Sequence, residues 1–102
     1  MQDFITSRRE EIAALCRKHH VRRLAIFGSA VRDDFDLARS DVDVLVEFDE
    51  FPIELYFDNK SDLRESLVAL FGRKVDLLTW KSLVNPYLLQ EIESTRELLY
   101  AA

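Results

Sequence analysis

Residues 42–48 read VDVLVEF, and with Asp41 just before them they constrain the fold more than any other stretch of the chain. So apolar a run belongs in a buried β-strand, yet it opens on two carboxylates, Asp41 and Asp43. Burying charge is costly unless something positive meets it. Alternation along a strand sends Asp41 and Asp43 to one face and Val42 and Val44 to the other. Two carboxylates side by side repel unless a cation sits between them, and a divalent metal answers that need. Magnesium prefers hard oxygen ligands, takes one or two carboxylates and completes its shell with water and substrate phosphates.

A second run of the same character, KVDLLTW at 74–80, carries Asp76 among residues that want burial. If its strand neighbours that of 42–48, three acids converge on one point. A further strand, RRLAIF at 22–27, stops at Gly28, one of only two glycines, with Ser29 next to it. A glycine at a strand-to-helix junction lets a ligand approach the backbone closely. Free N–H groups there, with the Ser29 hydroxyl, suit phosphate oxygens. Neither a Walker-type P-loop nor a GxGxxG dinucleotide motif is present to explain the pair otherwise.

The remaining elements follow from periodicity and punctuation. Residues 3–20 predict a helix with Ile5, Ile12, Leu15 and Cys16 on one stripe, and Ser7 with Glu10 can form a capping box. A helical turn is expected at 29–33. Another helix begins between 53 and 62 and closes at Gly72 in a left-handed cap. Asn85 and Pro86 read as cap and first position of a final amphipathic helix bearing Leu88, Leu89, Ile92 and Leu99. The order αβαβαβα predicts an α/β fold, a small mixed β-sheet flanked by α-helices, with 1–102 as a single domain.

Composition enters as a set of exclusions. A net charge of -5 argues against a general affinity for nucleic acid. The basic stretch RKHHVRR at 17–23 straddles a helix end, where cations suit exposed carbonyls. No apolar run approaches a membrane span, and MQDFITSRRE lacks a signal-peptide pattern, so a cytoplasmic chain is expected. Cys16 is the only cysteine, which leaves no disulfide framework and no zinc cluster. His19 and His20 lie upstream of the acids and receive no catalytic role. Trp80 serves equally well as a core residue or as a platform for a base. Leu98, Leu99 and Tyr100 suit either a helix packed on its own sheet or a partner interface.

The stretch FGSAVRDDFDLARSDVDVLVEF at 27–48, followed by KVDLL, resembles the nucleotidyltransferase fold of the DNA polymerase beta superfamily, in its minimal nucleotidyltransferase branch. The tail NPYLLQEIESTRELLYAA resembles that branch as well. The resemblance implies that Gly28 and Ser29 bind the triphosphate of ATP. It implies that Asp41 and Asp43 bridge two Mg2+ ions, and that Asp76 binds the catalytic one and helps take the acceptor's proton. Arg32, three residues after the serine, matches a position where the family commonly has arginine, and either neutralises phosphate charge or pairs with Asp33 or Asp36 on a helix surface. One departure is that eleven residues separate Ser29 from Asp41, one more than is usual. Members of the branch commonly pair with a HEPN-domain ribonuclease toxin, so the resemblance implies an antitoxin that transfers AMP to a tyrosine of that partner. Two other readings stay open: a binding module that neutralises its partner by contact, and a transferase acting on a small-molecule hydroxyl. Assembly with itself or with another chain is also left open.

Overall fold

The acid-bearing run is a strand with the predicted bounds, Val42–Phe48, and it lies inside a four-stranded sheet. The computed structural model describes residues 3–31 and 41–102. In chain order the strands are β1 (Val21–Phe27), β2 (Val42–Phe48), β3 (Val75–Thr79) and β4 (Glu97–Ala101). The helices are α1 (Asp3–Thr6), α2 (Arg9–Lys18), α3 (Tyr56–Phe71) and α4 (Pro86–Thr95). Across the sheet the order is β3-β2-β1-β4. β1 runs antiparallel to both β2 and β4, whereas β2 and β3 are parallel and are joined through α3. A parallel pair needs such a crossover, and the sheet is mixed as its sequence predicts.

The two faces are covered unequally. Leu24, Ile26, Val42, Val44, Val46, Val75 and Leu77 pack against Ile5 of α1, Ile12 and Cys16 of α2, and Leu63, Leu67 and Phe71 of α3. The other face has only a small cluster, Ala25, Phe27 and Leu45 under Ile92 of α4. By alternation Asp43 shares that face with Leu45, and Asp76 shares it with Leu78. Among the described residues α4 is the helix over that face, and Asp76 is exposed there. Among the described residues no helix is long and apolar enough to cross a membrane.

Local punctuation acts as expected at two helix ends. Gly72 stands at φ 68° and ψ 26° and bonds its N–H to the Val68 carbonyl, closing α3. The Asn85 side chain accepts from the N–H groups of Tyr87 and Leu88, with Pro86 at the first turn of α4.

Two expectations are corrected. The helix over 3–20 is broken into α1 and α2, and Arg8 caps α2 without a side-chain bond, so Ser7 and Glu10 form no capping box. The break lets Phe4 meet Phe71 edge-on at 6.0 Å. The final helix does not reach Leu99: it ends at Thr95, Arg96 turns extended, and 97–101 pairs with β1 as β4. The free edge of β1 offers a row of backbone partners, and joining it satisfies groups that a longer helix would leave exposed on that edge.

Candidate active site

The site is assembled where β1 ends and β2 and β3 begin. Register places Asp43 opposite Phe27 on one side and Asp76 on the other. Neighbouring strands lie about 4.8 Å apart, so the two carboxylates are brought side by side on one face. Asp43 is half-buried and Asp76 exposed. Of the three acids expected to converge, the register sets Asp43 and Asp76 side by side, and Asp41 is not gathered with them among the described residues.

Directly after Phe27 the chain turns through Gly28–Ala30, with the Val31 N–H bonded to the Gly28 carbonyl at 3.1 Å. Gly28 adopts φ +72°, in the left-handed region, and is buried against Asp43. A Cβ added there would collide with Asp43 Oδ2 and lie 3.4 Å from its Cγ. The absence of a side chain thus does two things at once: it permits the turn, and it lets the strand-end backbone stand against the carboxylate. Arg32 lies outside the described residues, as does the side chain of Ser29.

Asp41 sits just outside β2, half-buried, with its Oδ2 3.9 Å from Lys74 Nζ. The Val42 N–H bonds the Lys74 carbonyl at 3.0 Å, which locks the start of β2 to the start of β3. Lys74 escaped the reading from sequence. Its signal was its position two residues before Asp76, which matches that of Asp41 before Asp43, and this becomes informative only once the parallel register is known. Among the described residues no three His, Cys, Asp or Glu side chains stand close enough together to form a ready-made ligand set. What the structure brings together is the pair Asp43 and Asp76, with Asp41 next along the strand and directed toward an ammonium. The donor set is all hard carboxylate oxygen, open to solvent on the Asp76 side, and that suits magnesium, which commonly takes one or two carboxylates.

Other chemistry-bearing groups are accounted for by packing. Cys16 is fully buried, and burial pushes its thiol up to about 12, so it is no nucleophile. His19 is buried, its Nε2 has no hydrogen-bond partner among the described residues, and burial holds it below the ordinary imidazole value. Trp80 lies beneath the Arg23 guanidinium, 3.8 Å from the ring centroid, and Arg96 stands at 5.5 Å. That ring is engaged with cations of its own chain.

Known proteins share this fold. The nucleotidyltransferase domain family matches residues 9–99. A Methanocaldococcus jannaschii chain, provisionally named a protein adenylyltransferase, is 39% identical over 100 residues, covering 88% of this chain and 94% of that one. A solved structure described provisionally as a minimal nucleotidyltransferase is similar with a TM-score of 0.73 at 31% identity, over 94% of this chain and 95% of that one. The fold is also that of a chain in the complex of tri-AMPylated Shewanella oneidensis HEPN toxin with MNT antitoxin, with a TM-score of 0.64 at 18% identity, over 95% and 72% of the two chains.

Proposed function

Because the chain belongs to the nucleotidyltransferase domain family, we propose that it transfers AMP from ATP to a tyrosine hydroxyl of a HEPN-domain ribonuclease toxin, and so acts as that toxin's antitoxin. The observation that carries this reading is the in-register pair Asp43 and Asp76 standing beside the buried Gly28 turn. Support for the acceptor class comes from the relative provisionally named a protein adenylyltransferase and from the neighbour solved with an AMPylated toxin.

The roles follow from position. Gly28 gives the triphosphate access to the backbone of the turn, where Ser29 donates to a phosphate oxygen and Arg32 offsets phosphate charge. Asp41, Asp43 and Asp76 would hold Mg2+, which when bound supplies neutralisation of phosphate charge. Asp76, exposed on the edge strand, takes the proton of the acceptor hydroxyl. The tyrosine oxygen then forms a bond to the α-phosphorus as the bond from that phosphorus to the bridging oxygen breaks, and pyrophosphate leaves. Lys74 offsets the charge of Asp41 while the acids wait for substrate.

The test is to incubate the purified chain with labelled ATP, magnesium and the protein encoded by its neighbouring gene. Label is expected on a tyrosine of the partner, and Asp43→Asn should abolish labelling while the two proteins still bind. A partner that binds the wild type and stays unlabelled refutes transfer and leaves neutralisation by contact. Label appearing on a sugar or aminoglycoside hydroxyl without any partner refutes the choice of acceptor.

A further inference from the structure

The far end of β2 carries a second concave surface that the transfer chemistry does not use. Val46, Phe48, Phe51, Ile53, Tyr56 and Trp80 help wall a cavity of about 450 Å³. It lies at the ends of β2 and β3 opposite those bearing Asp43 and Asp76. Phe48 lies five steps along the strand from Asp43, roughly 16 Å at about 3.3 Å per residue. The inner wall is already ordered: Phe48 meets Tyr56 edge-on at 5.7 Å and Phe51 at 5.9 Å, and His20 stacks on Phe51 at 4.9 Å. Of the lining residues Ile53 is 81% exposed, and Leu55 at 52% and Phe57 at 83% are exposed in the same short segment without lining the cavity. Large apolar side chains gathered on one turn beside a cavity mark a contact surface.

Charge decides the kind of partner. Residues 47–58, EFDEFPIELYFD, contain five acids and no lysine or arginine. Glu47 and Asp49 are met by Arg22 and Arg23, whereas Glu50, Glu54 and Asp58 make no ion pair among the described residues. Lys81 is the one basic residue among those lining the cavity. Such a rim repels nucleic acid and favours a polypeptide whose apolar anchor sits beside arginine or lysine. We propose that this groove docks the partner that presents the acceptor hydroxyl, taking an apolar side chain into the cavity and pairing Glu50 and Glu54 with the partner's cations. Naming that partner as the HEPN-domain protein rests on the transfer reading above.

Two variants test it, both confined to solvent-facing positions: Ile53→Lys with Phe57→Lys, and Glu50→Lys with Glu54→Lys. Affinity for the protein encoded by the neighbouring gene is measured by calorimetry without nucleotide at low and high salt, and AMP transfer is measured against partner concentration. Each variant should weaken Kd, and raise KM for the partner, by at least about tenfold, with kcat at saturating partner and KM for ATP unchanged. Wild-type affinity should fall with salt, and the charge-reversed variant should lose that dependence. Kd and KM within about twofold of wild type for both variants overturn the docking groove and leave transfer intact. A wild type that binds without labelling removes the transfer reading, and the variants' Kd then still decides the groove. A wild type that neither binds nor labels removes both.

Discussion

Replacing Gly28 with alanine separates a substrate cradle from ordinary turn chemistry. At φ +72° a side chain costs roughly 1–2 kcal/mol of backbone strain, and the added methyl would occupy space held by Asp43 Oδ2, with Cγ only 3.4 Å away. The carboxylate must swing aside for the variant to fold. Gly72 supplies the control: it stands at φ +68°, yet a Cβ there meets nothing within 4 Å. Both substitutions share the backbone cost, and only Gly28→Ala displaces an acid. With about 4–8 °C of melting temperature per kcal/mol in a domain of this size, both variants should melt about 4–16 °C below wild type. Misplacing a reacting group by about 1 Å costs on the order of 100-fold in rate. Thus Gly28→Ala should lose about that much in kcat/KM for AMP transfer, whereas Gly72→Ala should keep wild-type kinetics when assayed well below its melting point. Thermal melts followed by circular dichroism and initial rates with labelled ATP read the two effects separately. If the two variants are equally active, Gly28 is a turn residue and nothing more.

Three other outcomes follow from named contacts. In chelator, Asp76→Asn should melt at or above wild type, because one of two facing charges is gone; magnesium should raise the wild-type midpoint and not the variant's, and equal shifts would remove the pair as cation ligands. Burial is the main cause that holds His19 below its usual 6.5, with Lys18 and His20 adding to it and Asp62 opposing. The unfolded chain therefore binds a proton that the folded chain refuses, and stability should fall as pH drops below about 6.5. Urea titrations across that range should show the loss in wild type and a flatter profile in His19→Gln; identical slopes would exonerate His19. Asn85→Ala removes the acceptor for two N–H groups at the start of α4 and should cost about 1 kcal/mol, read as a lower urea midpoint, with an unchanged midpoint counting against the cap.

Much of the frame was legible because local signals agreed with tertiary ones. VDVLVEF is too apolar for anything but an inner strand, Gly72 can take the left-handed conformation that closes α3, and Asn85 with Pro86 opens α4. β4 was not legible for a definite reason. Leu88, Leu89, Ile92 and Leu99 keep a helical spacing, and no glycine or proline stands between Thr95 and Glu97. What ends the helix is the unpaired edge of β1, a feature of the assembled sheet that no local window contains. The contact of Gly28 with Asp43 was hidden in the same way. Each residue announces a type of chemistry, but their meeting depends on Phe27 falling opposite Asp43. The pairing of Asp76 with Asp43 required β3 to lie beside β2 and parallel to it, which only the crossover through α3 supplies.

The polarity of β2 joins these results into one mechanical argument. The strand begins at the acids and ends at the aromatic groove, so the distance between chemistry and docking is set by a rigid, hydrogen-bonded element held between β1 and β3. A partner gripping the groove must reach roughly 16 Å along β2, and round from the face of Val46 and Phe48 to that of Asp43, to bring a hydroxyl to Asp76. Grip and transfer are then separable by mutation: damage at Ile53 or Phe57 should be rescued by raising partner concentration, and damage at Asp43 should not. Adding one residue to β2 between Asp43 and Phe48 would break this relation, because a one-residue slip sends Asp43 to the opposite face.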